Sequence, residues 1–139
     1  MSQKIREVMT ERPVTTAVQV SVAEAARRMR DQDIGDVLVV DDGHLKGVVT
    51  DRDLVVRVLA EGREPEKTTV AEVCSGVLVT VAPDDDIDKA VDLMRTHALR
   101  RLPVTEKDRP VGIVSLGDLA MDRDDTSALA DISAAPPNS

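Results

Sequence analysis

Apolar positions along the chain follow two different periods. Val22, Ala25, Ala26 and Met29 recur at the spacing of one helical face, behind a Ser21/Glu24 pair of the kind that caps a helix start. Val37 to Val40 is too short and too β-branched for a helix. The turn residues Asp41, Asp42 and Gly43 follow it, and Leu45 to Thr50 reads as a second strand, so a hairpin is predicted. Leu54, Val55, Val58 and Leu59 then return to helical spacing. With a strand starting at Val14, the predicted order is strand, helix, strand, strand, helix: an α/β unit.

That unit is written twice. "GVVTDRDL", from Gly47 to Leu54, returns as "GIVSLGDL" from Gly112 to Leu119, 65 residues on. At the same offset "KIREVMT" falls on "TVAEVCS" and "SVAEAARRMR" on "DIDKAVDLMR", which starts the second copy's long helix at Asp86. Glu7, Val8, Val14, Thr15, Ala25, Met29, Arg30, Val39, Gly47, Val49, Asp53 and Leu54 each recur unchanged. The sequence therefore divides into a first copy at 4–60, a charged connection at 61–69, a second copy at 70–122 and a tail at 123–139 whose "SAAPPNS" ending reads as disordered. A unit of about 55 residues buries little surface by itself, so the two small sheets are expected to pack on each other about a pseudo-twofold axis.

Composition narrows the function. The 139 residues are 42% apolar, enough for a core, and carry a formal net charge of -8. That charge argues against a nucleic-acid backbone or an anionic membrane as partner. The opening residues lack a signal-peptide pattern and no stretch approaches the length of a membrane span, so a cytoplasmic protein is expected. Cys74 is the one cysteine, which excludes an intrachain disulfide and a thiolate metal cluster, and it reads as a small core residue. Phe, Tyr and Trp are all absent, so any ligand meets aliphatic walls.

The repeated T-x-x-D and S-x-x-D can be read in two ways. Thr50 and Ser115 can cap helices, with Asp53 and Asp118 at the third helical position. A helix start carrying a hydroxyl also suits a phosphate, and a nearby carboxylate can accept both hydrogen bonds of a ribose diol. The two uses are compatible. An enzyme reading fares worse: His44, His97 and Cys74 are unrepeated and stand at neither metal-ligand nor triad spacing, and Gly47 and Gly112 lack the rest of a Walker loop.

"VMT" at Val8 to Thr10, the strand from Val14, "RLPV" at Arg101 to Val104 and the paired "GVVTDRD" and "GIVSLGD" together resemble the CBS domain, over both copies from about Lys4 to Leu119. The resemblance implies a tandem CBS pair of two β-α-β-β-α repeats, with ligand clefts between the copies. It implies that Asp118 with Ser115, and Asp53 with Thr50, hold ribose and phosphate. It further implies base walls of Met9, Val14, Ile34, Gly35 and Val37 for the Ser115 cleft, and of Cys74, Val79, Leu99 and Leu102 for the Thr50 cleft. Arg100 and Arg101 stand where this family often places cations near the phosphate, whereas the first copy has Gly35 and Asp36 there, with Arg52 as a compensating charge. The Ser115 cleft therefore ranks first.

The function expected from the resemblance is a non-catalytic regulatory module that senses AMP, ADP, ATP or S-adenosylmethionine and signals to a separate effector protein. No cofactor or metal is required. The family's usual stacking of two pairs through helices makes "DLVVRVLA" and "DKAVDLM" the expected homodimer contact. The alternative is a ligand-free interaction or dimerisation module in which the motif serves only as a cap.

Overall fold

The computed structural model describes residues 3–76 and 79–122, and the expected disordered tail lies outside them. A short 3-10 turn at Ile5–Glu7 precedes β1 (Thr10–Glu11), β2 (Thr15–Ala17), α1 (Val22–Gln32), β3 (Asp36–Asp41), β4 (His44–Thr50) and α2 (Asp51–Leu54). Then come a π-helical segment (Val55–Leu59), α3 (Val70–Val73), β5 (Ser75–Gly76), α4 (Ile87–His97), β6 (Arg101–Glu106), β7 (Arg109–Ser115) and α5 (Leu116–Asp122). These form two compact units. Residues 14–76 make one, called here the Thr50 unit; residues 3–13 with 79–122 make the other, the Ser115 unit.

In the Thr50 unit the sheet order is β2-β3-β4-β5, with β2 parallel to β3 and the other pairs antiparallel. Val22, Ala25 and Met29 of α1 pack with Val37, Val39 and Val49 of the hairpin and with Val58, Val70 and Val73. The Ser115 unit repeats the hairpin as β6-β7 with β1 on its edge, and its first strand is reduced to a parallel bridge between Val81 and Val104. Its core is built by Ile5, Val81, the Ile87, Ala90, Val91 and Met94 face of α4, and Leu102, Val104, Val114, Leu116 and Leu119. Both predicted hairpins form. Each closes through a two-residue turn with both residues left-handed, Asp42 and Gly43 (φ 52° and 80°) and Lys107 and Asp108 (φ 50° and 67°), the mirror-image turn that matches strand twist. Register shifts at the equivalent Val39/Val40 and Val104/Thr105 steps bend the two hairpins alike.

Four features differ from the local reading of the sequence. Ser21 does cap α1, its Oγ accepting from the Glu24 N–H at 3.2 Å, but Glu24 turns to Arg27 (3.1 Å) rather than back to the cap. The chain after α2 is not a plain α-helix: over Val55–Leu59 the winding loosens to π, which the 54, 55, 58, 59 spacing does not distinguish from α. The charged connection is docked, which its composition alone does not indicate. Val22 and Ala23 N–H groups donate to the Thr68 and Pro65 carbonyls (2.8 and 3.1 Å), Arg27 pairs with Glu66, and Arg63 pairs with Glu72 at 2.6 Å.

The fourth difference concerns the opening segment of each copy. Residues 3–13 pack into the Ser115 unit: Ile5 is fully buried there, its N–H donates to the Asp85 carbonyl (2.9 Å), and Lys4 and Arg6 pair with Asp86 and Asp84 (2.9 and 2.8 Å). The equivalent α3, from the second copy, packs into the Thr50 unit, with the Val70 N–H on the Val20 carbonyl (2.8 Å) and Val70 and Val73 fully buried. Each opening segment thus completes the unit built mainly from the other copy.

Candidate functional site

The repeated hydroxyl and carboxylate sit at the end of β4 and β7, where each hairpin runs into its following helix. The Thr50 N–H donates to Asp53 Oδ2 (2.9 Å) and the Asp53 N–H donates to Thr50 Oγ1 (3.0 Å). Ser115 and Asp118 repeat both bonds at the same distances. These are complete capping boxes, so the capping role is real. It engages one oxygen of each carboxylate and one lone pair of each hydroxyl, and a half-buried carboxylate keeps acceptor capacity for a ligand beyond that.

The glycine that opens each motif lets another chain segment lie against the site. A Cβ on Gly47 would stand 2.6 Å from the Ser75 carbonyl oxygen and 2.8 Å from Cys74 Sγ. A Cβ on Gly112 would stand 2.7 Å from Met9 Sδ and 2.9 Å from the Thr10 carbonyl oxygen. Met9 and Cys74, both expected as ligand walls, are therefore brought within reach of a motif: Met9 beside the strand of Ser115, and Cys74 beside that of Thr50. Burial, then the nearby Asp53 charge, push the Cys74 thiol upward and hold it protonated near neutrality.

The other expected wall residues divide by unit. Val14 and Ile34 pack against the core of the Thr50 unit, and Val37 lies inside it with 1% exposure. Val79 packs against the core of the Ser115 unit and Leu102 lies inside it, fully buried, whereas Leu99 is partly exposed. The Gly35 carbonyl accepts from the Asp51 N–H (2.9 Å), and the equivalent Arg100 carbonyl accepts from the Leu116 N–H (2.7 Å).

Charge distinguishes the two motifs. In the β6–β7 ladder Arg101 stands directly opposite Ser115, so a cation shares the motif's face of the sheet. In the β3–β4 ladder the corresponding residue opposite Thr50 is Asp36. Arg52 is exposed, and a different cation approaches Asp53: Arg57, one turn on, whose Nε lies 3.8 Å from Asp53 Oδ1 while its Nη1 donates to the Val73 carbonyl (3.2 Å). Arg57 was not among the residues singled out from the sequence. The signal was present as an i, i+4 acid–base pair inside "DRDLVVR".

Among the described residues no group of three or more His, Cys, Asp or Glu is placed to hold a metal ion, and no helix is long and apolar enough to cross a membrane. A second feature of the Thr50 unit is an apolar groove of about 370 Å³ between α1, the π segment and the connection, lined by Val22, Ala26, Leu54, Val55, Val58 and Leu59 among others.

The family model for the CBS domain matches residues 5–60 and 70–123. The CBS domain-containing protein YhcV of Bacillus subtilis is 40% identical over 119 residues, 86% of this chain and 84% of that protein. The crystal structure of Hypoxic Response Protein I with two coordinated zinc ions aligns with a TM-score of 0.80 and 32% identity, over 88% of this chain and 100% of that one. The CBS domain pair of protein MJ0100, solved with 5′-methylthioadenosine and S-adenosyl-L-methionine, aligns with a TM-score of 0.75 and 26% identity, over 87% of this chain and 95% of that one. Matched in both copies and along most of its length, the chain belongs to the CBS-domain family as a tandem pair, a regulatory module.

Proposed function

We propose that this module binds an adenine nucleotide or a related adenosine ligand through its two motifs and passes their occupancy to a partner protein, without catalysing a reaction. The observation that carries the reading is the pairing of each complete capping box with spare carboxylate acceptor capacity at the Asp53 and Asp118 positions. The adenosine ligands of the MJ0100 pair support the ligand class. Asp118 and Asp53 accept the ribose diol, and Ser115 and Thr50 lie toward the phosphate. The Ser115 motif binds more tightly, because Arg101 across the ladder offsets the acidic background.

The missing aromatics supply the test. With no Trp or Tyr the folded protein absorbs little in the near ultraviolet, so a purine carried through purification shows as a nucleobase band that denaturation and filtration release. AMP, ADP, ATP or S-adenosylmethionine should raise the unfolding temperature with dose. Asp118→Ala should weaken binding by about 1–3 kcal/mol and lower the melting of the bound protein more than that of the free one. Melting indifferent to millimolar concentrations of all four compounds would defeat this reading.

The groove of the Thr50 unit favours a second reading, self-association. Val55, Val56 and Leu59 beside it are 55%, 46% and 74% exposed, so the groove is flanked by large apolar side chains open to solvent. A homodimer through this face is compatible with ligand binding. It becomes the whole function only if ligand binding fails.

A further inference from the structure

We propose that Arg57 makes the Thr50 motif selective for a phosphorylated ligand; the inference rests on the nucleotide reading above and names a specificity-determining residue within it. The Thr50 motif has the wrong charge for a phosphate on its strand side. Asp36 stands opposite Thr50 in the ladder, and Asp51 lies close enough to Gly35 that a Cβ there would be 3.1 Å from its Oδ2. With Asp53 the chain brings three carboxylates to this stretch and, within the motif itself, only the exposed Arg52 against them, so a dianionic phosphate there gains from a further cation.

Arg57 is placed to reverse that balance. Its guanidinium reaches Asp53 Oδ1 at 3.8 Å, a charge contact longer than a hydrogen bond, and its second tether is a single bond to the Val73 carbonyl at 3.2 Å. The Arg57 side chain is 51% exposed and that of Asp53 only 13%. A long, half-exposed ion pair adds little stability, so turning the guanidinium toward an incoming anion sacrifices little. The Asp53 carboxylate is held by its cap and stays to accept the ribose, while Arg57 offers planar donors to the phosphate. This division of labour, a carboxylate on the diol and an arginine on the phosphate, is chemically general. An unphosphorylated nucleoside gains nothing from Arg57 and must share Asp53 with it.

The second motif lacks this device. At the position equivalent to Arg57 the chain has Asp122, and the cation belongs to Arg101 on the strand. The two motifs therefore read charge from opposite sides: one from the ladder, one from the helix.

The test is calorimetric titration of the full chain with AMP and with adenosine, in the unaltered protein, in Asp118→Ala, and in Asp118→Ala combined with Arg57→Gln or Arg57→Lys. In the Asp118→Ala background Arg57→Gln should weaken AMP about tenfold or more, leave adenosine within about twofold and flatten the salt dependence of AMP binding, and Arg57→Lys should recover part of the loss. Equal weakening of AMP and adenosine would reduce Arg57 to a structural prop and overturn the inference, as would no change in either. If Asp118→Ala abolishes binding that the unaltered protein shows, the Thr50 motif takes no ligand and the inference falls while the nucleotide reading stands. If the unaltered protein binds neither compound, both fall together.

Discussion

Replacing Gly47 by alanine tests why the motif begins with glycine in both copies. The added methyl would lie 2.6 Å from the Ser75 carbonyl oxygen and 2.8 Å from Cys74 Sγ, against about 3.4 Å for an ordinary contact. Cys74 can rotate, but the Ser75 oxygen is backbone. Among the described residues β5 pairs with β4 at Gly47–Gly76 and Val48–Ser75, and clearing the methyl requires this strand to lift by most of an ångström. Lifting it strains α3, whose Val70 and Val73 are fully buried. Overpacking of this kind costs about 1–3 kcal/mol. For a folded region of this size each kcal/mol lowers the melting temperature by about 3–6 °C, so Gly47→Ala should melt about 3–18 °C lower. Gly112→Ala should cost less, because its backbone contact, the Thr10 carbonyl oxygen, is longer at 2.9 Å and its shortest contact is the flexible Met9 side chain, and Gly76→Ala, with nothing within 4 Å, should stay within about 0.5 kcal/mol of the unaltered protein. Far-ultraviolet circular dichroism is the assay, since no aromatic residue reports on the fold. Adding Cys74→Ala to Gly47→Ala should restore only part of the loss. A Gly47→Ala protein that melts with the Gly76→Ala control would refute the close-approach argument.

Other outcomes follow from charges and exposed surface. The Ala82 N–H, which donates to Asp85 Oδ2 at 2.8 Å, and then Lys89 hold the Asp85 carboxyl below its ordinary range against its partial burial. A carboxylate lowered on folding stabilises above its unfolded pKa and loses that contribution as pH falls through the folded value. Asp85→Asn should thus destabilise at neutral pH, and the gap to the unaltered protein should close below about pH 4 in urea melts. Cys74, pushed up by burial and by Asp53, should alkylate with iodoacetamide more slowly than an unstructured cysteine peptide at neutral pH; an equal rate would contradict its placement against Gly47. Leu59→Lys should turn a dimer into a monomer by sedimentation with the melting temperature of dilute protein little changed, and a sedimentation pattern unaffected by the substitution would remove the groove face as the contact.

Much of the fold was legible because it is local. Both hairpins follow from β-branched runs broken by "DDG" and "KDR", and both capping boxes follow from a hydroxyl three residues before an aspartate. What the sequence hid is pairing at a distance. Its self-match shows that Ile5 and Val70 are equivalent, but nothing in either segment says that each is buried in the unit formed mainly by the other copy. The site was half legible for the same reason. Thr50, Asp53, Ser115 and Asp118 announce themselves by repetition, whereas Arg57 has no counterpart at Asp122 and gains meaning only when Asp36 is seen opposite Thr50. The π winding escaped as well, since Val55 and Val58 face the groove and the core under either helical period.

The exchanged opening segments also set an order of assembly. Residues 14–76 are contiguous, so the Thr50 unit can close as soon as its chain emerges during synthesis. The Ser115 unit cannot: Lys4 and Arg6 wait for partners 82 and 78 residues further on, and Ile5 stays uncovered until α4 arrives. Long-range closure of this kind is slow, and in the interval residues 3–13 are an unshielded arm. A fragment cut at residue 60, where the sequence repeat ends, would lack Val70 and Val73 and leave the Thr50 core open. The compact units of this chain are therefore offset from its sequence repeats, and each closes only with an opening segment taken from the other copy.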